Sequence, residues 1–263
     1  MYDFEFARPT TVSEAASALA AEGAQALGGG QTLIPSLKNR LASPSILVSL
    51  AGIDEMRGVD IDAGDSVVVG GATTHAEVAS AAADSFPALA WLAGNIGDPA
   101  VRNRGTVGGS LANNDPSACY PAAALATGAT IATNNRKISA DDYFKGMFES
   151  ALYEGELITK VRFPIPDAAN YQKFEQPASR FALVGVFVAR FGQEARVAVT
   201  GASENGAFRW AEAEAALSAD FSSGAISDLS ISADEMIRDL HGSSTYRAHL
   251  TKVLTARAVD AAS

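Results

Sequence analysis

Two short stretches carry the residue types that could do chemistry. The first is Ala26-Leu27-Gly28-Gly29-Gly30-Gln31-Thr32-Leu33-Ile34-Pro35. The second runs from Ile96 through Gly97-Asp98-Pro99-Ala100-Val101-Arg102-Asn103-Arg104 to Gly105-Thr106-Val107-Gly108-Gly109-Ser110-Leu111-Ala112-Asn113-Asn114-Asp115-Pro116. Glycine permits close backbone approach and turns that a Cβ would block. Thr106, Ser110, Asn113 and Asn114 add short hydrogen-bonding side chains. A loop presenting several backbone N–H groups binds an anion without lysine. Two such loops could take one phosphate of a pyrophosphate each, gripping one extended cofactor from opposite sides.

Other chemistries fit less well. Gly28-x-Gly30-x-x-Leu33 follows a dinucleotide fingerprint until its third glycine, where Leu33 stands. No Gly-Lys-Ser/Thr follows, so a Walker A loop is excluded. Asp115 could meet a ribose or ring N–H, or cap the turn before Pro116. Arg102 and Arg104 could face phosphate or water. Cys119 could be a redox thiol or a small apolar neighbour at a loop–helix junction. His75 reads as a polar residue at a helix start. No Ser/His/Asp or Cys/His arrangement marks a nucleophile. With one cysteine, the chain cannot by itself hold a Cys-ligated iron–sulfur cluster, and its three histidines show no metal spacing.

Composition narrows the class. The 263 residues are 48% hydrophobic and 19% charged, enough for a substantial core. A net charge of −10 argues against nucleic acid or an anionic membrane as general partner. It also means that phosphate must be held by local amides. No signal-peptide pattern opens the chain, and no apolar run is long enough to span a bilayer.

The elements that must position these loops follow from periodicity and punctuation. Strands are predicted near Phe4–Pro9, Ala24–Leu27, Ile46–Leu50 and Ser66–Gly70, with helices over Glu14–Ala21 and Ala76–Ala83 and a helix or irregular run over Leu33–Leu41. This order suggests a small α/β unit. Leu89–Ala93 and Tyr120–Thr127 read as helices. Ala129–Thr133 and Arg136–Ser139 form a hairpin across Asn134-Asn135, and Glu156–Phe163 alternates like a half-buried strand. Pro164–Ala169 is the best linker. Beyond it, antiparallel strands over Tyr171–Phe174, Leu183–Phe191 and Arg196–Thr200 precede helices over Arg209–Ser218, Ala233–Leu240 and Thr245–Val259, an α+β order.

Both glycine stretches, with Asp239-Leu240-His241-Gly242-Ser243-Ser244-Thr245-Tyr246-Arg247, resemble the FAD-binding medium subunits of molybdenum hydroxylases, of the carbon monoxide dehydrogenase type. The resemblance spans essentially the whole chain. It implies an α+β protein: a two-lobed FAD-binding domain of the vanillyl-alcohol oxidase type over residues 1–168, then a C-terminal domain of antiparallel sheet and helical bundle over 169–263. Carried over by position, Ala26, Leu27, Gly28, Gly29, Gly30, Gln31, Thr32, Leu33, Ile96, Thr106, Gly108, Gly109, Ser110 and Asn113 should line FAD, with Asp115 and Cys119 beside them. Ile158 and Lys173 fall at the adenine side and the flavin region, and Phe181 or Arg180 near the isoalloxazine. Family members often carry Asp where Cys119 stands, which alters hydrogen bonding to FAD; Gly28 replaces a usual Ala.

The resemblance further implies a cytoplasmic oxidoreductase subunit. A small iron–sulfur subunit would deliver electrons, a large subunit would hold the molybdenum cofactor, and a dimer of heterotrimers is expected. Bound FAD would hand electrons to quinone, NAD or oxygen. No catalytic side chain is required for outer-sphere transfer, so none is assigned, and the substrate (carbon monoxide, an aldehyde or an N-heterocycle) stays open. The rivals are a self-contained FAD oxidoreductase of the same fold, such as a UDP-sugar reductase, and a non-enzymatic nucleotide-binding module.

Overall fold

A computed structural model describes residues 1–262. The first lobe runs β1 (Glu5–Ala7), α1 (Val12–Leu19), β2 (Ala24–Leu27), α2 (Leu33–Lys38) and β3 (Ile46–Ser49). Thr11 caps α1, its side chain accepting from the Glu14 N–H at 3.1 Å. The strands pair in parallel in the order β1-β3-β2. Parallel pairing needs crossovers, which α1 and α2 supply. Its core gathers Ala15, Leu19, Val48, Ile53 and Met56 with Leu157 from the next lobe.

The second lobe is a five-stranded antiparallel sheet with helices against it. Its elements are β4 (Val59–Asp62), β5 (Ser66–Gly70), α3 (His75–Ala81), α4 (Pro87–Gly94), α5 (Pro99–Arg102), α6 (Val107–Asn113), α7 (Tyr120–Thr127), β6 (Thr130–Thr133), β7 (Lys137–Ser139), α8 (Ala140–Tyr143), β8 (Phe144–Gly146), β9 (Glu149–Ser150) and β10 (Ile158–Pro164). The order β4-β5-β10-β6-β7 places β10 at the centre. Arg136 pairs with the buried Glu156 carboxylate at 3.0 Å, fixing the entry to β10. Thr74 and Glu77 close a reciprocal cap on α3. Every residue of α7 is buried, because helix and sheet cover it on all sides.

Four antiparallel strands follow: β11 (Ala168–Glu175), β12 (Ala182–Phe191), β13 (Glu194–Thr200) and β14 (Phe208–Arg209), with α9 (Ala211–Ala219) and α10 (Ser244–Ala261). The near-continuous apolar run of β12 reflects burial on both faces. Val184, Val186 and Val188 join the core under α9 and α10, whereas Phe187 and Ala189 join the core around α7. Burying one such side chain contributes about 1.5–3 kcal/mol. One core therefore continues from the second lobe into this sheet.

The helix expected over Ala233–Leu240 is absent. That segment gives its backbone to the loop after β13 instead: Ile237 N–H donates to Ala202 O at 2.8 Å, and Glu235 O accepts from Glu204 N–H at 2.9 Å. Met236 is buried in the core. Pairing with a distant loop outweighs the segment's local helical spacing, and two helices cover this face.

Candidate functional site

A cleft of about 580 Å³ lies where the two lobes and the C-terminal sheet meet. All nineteen positions expected to line a cofactor border it: Ala26 through Leu33, Ile96, Thr106, Gly108, Gly109, Ser110, Asn113, Asp115, Cys119, Ile158, Lys173 and Phe181. Strand β2 delivers the first glycine loop to the cleft, and α2 carries the chain away from it. Helices α5 and α6 bracket the second, with Thr106 capping α6 by accepting from Gly109 N–H at 3.1 Å.

The loops touch each other. A Cβ on Gly29 would lie 2.0 Å from Arg104 O and 2.6 Å from the Gly105 Cα, so only glycine fits. A Cβ on Gly108 would lie 2.6 Å from Gly71 O at the end of β5. The first contact joins the two lobes; the second packs α6 against the end of β5 within the second lobe.

The loops differ in what they offer. Among the described residues, the N–H groups of Gly29, Gly30, Gln31 and Thr32 donate to no protein acceptor. Four neighbouring unpaired amides form a concavity suited to phosphate oxygens. In the second loop the expected row of free amides is not found. Val107 N–H donates to Thr73 O, Gly108 N–H to Gly71 O, Gly109 N–H to Thr106 Oγ1 and Ser110 N–H to Thr106 O. What remains there for a ligand is the Ser110 hydroxyl, the Asn113 amide and the bare, exposed backbone of Gly109.

Several side chains take the plainer of their two sequence readings. The Asp115 carboxylate accepts from Ser117 N–H at 2.8 Å, a turn cap, while burial pushes its pKa up. Arg102 neither faces phosphate nor floats in water: its Nη1 donates to Ile96 O at 3.1 Å and Gly97 O at 2.7 Å, bracing the loop before α5. Cys119 is buried at the head of α7 beside the Tyr171 hydroxyl, and burial pushes its thiol up. Lys173 Nζ donates to Asn95 O at 2.6 Å. Phe181 is half exposed on the β11–β12 turn.

His75 is more than a polar residue at a helix start. It heads α3 as expected, yet is buried against Gly105, with its own N–H donating to Gly105 O at 3.0 Å. Burial, assisted by the Arg102 charge, lowers its pKa to about 4, so it is neutral at pH 7. Its ring lies 5.4 Å from that of Tyr120. The missed signal was Gly105, thirty residues away, whose lack of a side chain makes room for the imidazole. Glu156 also borders the cleft, and its carboxyl is lowered to about 2 by Arg136 and Thr133 acting against burial.

Fold and cleft together define an FAD-binding domain. The family described as FAD binding domain in molybdopterin dehydrogenase matches residues 2–166. The nicotine 6-hydroxylase medium subunit of Paenarthrobacter nicotinovorans is 30% identical, over 97% of this chain and 95% of its own. The carbon monoxide dehydrogenase medium chain of Hydrogenophaga pseudoflava is also 30% identical, over 98% and 96% respectively. Reconstituted CO dehydrogenase from Oligotropha carboxidovorans contains a chain that superposes with a TM-score of 0.86 at 28% identity, covering 98% of this chain and 97% of that one. The chain belongs to the FAD-binding medium-subunit family of molybdenum hydroxylases, a family of oxidoreductase subunits.

The residues present fit the flavin nucleotide. Unpaired amides line a cleft whose glycines leave no Cβ in the way. Among the described residues no group of three or more His, Cys, Asp or Glu side chains is placed to hold a metal ion. Among the described residues no helix is long and apolar enough to cross a membrane.

Proposed function

We propose that this chain is the FAD-carrying subunit of a molybdenum-containing hydroxylase or dehydrogenase, taking electrons from an iron–sulfur subunit and passing them to an external acceptor. The observation that carries this reading is the convergence of both glycine loops on one cleft, with four unpaired amides on the Gly29–Thr32 side. When bound there, FAD supplies the redox chemistry. The chain's residues bind and orient it. Amides of Gly29 to Thr32 take pyrophosphate oxygens, Ser110 and Asn113 contribute polar contacts from the opposite side, and Ile158 lies towards the adenine. Lys173 and Phe181 stand at the flavin end, with Asp115 and Cys119 along the wall between. No side chain need exchange a proton, so none is assigned a catalytic role.

The same reading supplies the partners: a small iron–sulfur subunit, a large molybdenum subunit, and a dimer of such heterotrimers in the cytoplasm. That the chain's single cysteine leaves no room for a Cys-ligated cluster supports this division of labour. The FAD-binding domain extends over 1–168 and the C-terminal domain over 169–263; the break between β10, ending at Pro164, and β11, starting at Ala168, supports a division in this region, a residue or more before the one drawn. Quinone, NAD and oxygen are the acceptor classes.

The test is an absorption spectrum with metal analysis of the chain expressed alone and with its genomic neighbours. Flavin near one per chain in both, with iron and molybdenum only in the co-purified complex, is the expected result. A colourless chain that ignores added FAD and recruits no partner would leave a plain nucleotide-binding module. Turnover of a substrate of its own, such as a UDP-sugar, by the isolated FAD-loaded chain would favour the self-contained oxidoreductase.

A further inference from the structure

The Asp239–Arg247 stretch lies outside the cleft, yet its one buried charge bonds to carbonyls adjoining two of the cleft's walls. Arg247 is 2% exposed. Its Nη1 donates to Leu183 O at 2.6 Å and to Gly201 O at 2.7 Å, carbonyls at the ends of the adjacent strands β12 and β13. Its Nη2 donates to Asp239 Oδ2 at 2.7 Å. Asp239 is held in turn by Oδ1 accepting from His241 N–H at 2.9 Å and Gly242 N–H at 3.1 Å.

Each carbonyl is one step from a cleft segment. Leu183 follows Phe181 by two residues, and the Phe181 carbonyl accepts from Gln176 N–H at 2.9 Å to close the turn that carries Ser179–Phe181. Gly201 N–H donates to Pro116 O at 2.7 Å, and Thr200 Oγ1 donates to Pro116 O and Ala118 O, inside the Asp115–Cys119 wall. Tyr246, beside Arg247 in sequence, meets the Phe174 ring edge-on at 6.2 Å on the strand opposite. The guanidinium keeps this place although its Nε has no acceptor among the described residues. A buried unpaired N–H is unfavourable, so the side chain's position is favoured by its other three bonds.

We propose that Arg247, oriented by Asp239, is a positioning residue that locks the Phe181 turn to the Asp115–Cys119 wall and so sets the flavin end of the cleft. A planar fork suits this because it reaches two carbonyls and a carboxylate at once; lysine cannot. The proposal rests on the reading that the cleft holds FAD, but half of its test does not.

The test compares full-length Arg247→Lys and Asp239→Asn with Ser243→Ala, which removes the α10 cap (Ser243 Oγ accepting from Tyr246 N–H) and leaves the clamp. Hydrogen exchange without flavin is expected to rise at least tenfold in both 115–119 and 176–183 for Arg247→Lys, and less for Asp239→Asn, with the β1–β3 sheet unchanged. With FAD added, Arg247→Lys should weaken binding at least fivefold and shift the flavin fluorescence and midpoint potential. Exchange that rises no more than in Ser243→Ala, or in only one segment, overturns the clamp. If Arg247→Lys does not fold, Asp239→Asn carries the same criteria. Wild-type chain that fails to bind FAD would instead overturn the functional reading and leave the exchange result standing.

Discussion

In the first glycine loop four consecutive amides, Gly29 to Thr32, donate to no acceptor among the described residues, whereas in the second the amides from Val107 to Ser110 all have protein acceptors. The two stretches have similar compositions. The first leaves its backbone N–H groups without protein acceptors at the edge of the cleft. The second spends its backbone on holding β5, α3 and α6 in place, and faces the cleft with side chains. A glycine-rich loop is thus two devices, an anion site and a packing joint, and hydrogen-bond accounting separates them.

The largest expected effect tests the joint between the loops. Gly29→Ala drives a Cβ into the backbone carbonyl of Arg104, which has little room to shift, and should cost about 3 kcal/mol or more while weakening FAD binding more than any other single change considered. Gly28→Ala is its control. There the Cβ meets the Thr106 hydroxyl at 3.0 Å, so less than about 1 kcal/mol is expected. Denaturant unfolding of both variants checks the contrast, and equal midpoints would break it.

Second comes the histidine packed behind the second loop. His75 is neutral when folded, with a pKa lowered to about 4 from an ordinary 6.5. The unfolded chain takes up this proton first as pH falls. The stability is therefore present above pH 6.5 and is lost between about 6.5 and 4, by roughly 3 kcal/mol. His75→Gln should flatten unfolding midpoints across that window. A further loss between about 4.5 and 2, from protonation of Glu156, should persist in the variant.

The smallest effect sharpens the division of roles. Ser110→Ala removes a side chain on the second loop without disturbing its backbone. It should weaken FAD binding by about 1 kcal/mol and leave stability unchanged, as read by fluorescence titration. A loss as large as that of Gly29→Ala would make the second loop the principal grip and reverse the comparison.

Much of this was legible in the sequence. Both loops, β2 at Ala24–Leu27, β5 at Ser66–Gly70 and α7 at Tyr120–Thr127 follow from glycine spacing, β-branched runs and an unbroken small-residue stretch. What escaped depends on distant partners. Thr73 and Gly71 take the Val107 and Gly108 amides of the second loop, and His75 is buried against Gly105; nearer at hand, Thr106 takes the Gly109 and Ser110 amides and Arg102 folds back on Ile96 and Gly97. Ala233–Leu240 has helical spacing, but its backbone pairs with the 202–204 loop. Local patterns place elements; they do not say which donors a later segment will consume.

The most direct measurement of the central claim is a fluorescence titration of flavin-free chain with FAD, FMN and riboflavin. An amide cradle for a pyrophosphate predicts FAD binding at least a hundredfold tighter than riboflavin, with FMN between, and most of that preference lost in Gly29→Ala. Equal affinity for all three would show that the Gly29–Thr32 amides do not hold phosphate and would contradict the account.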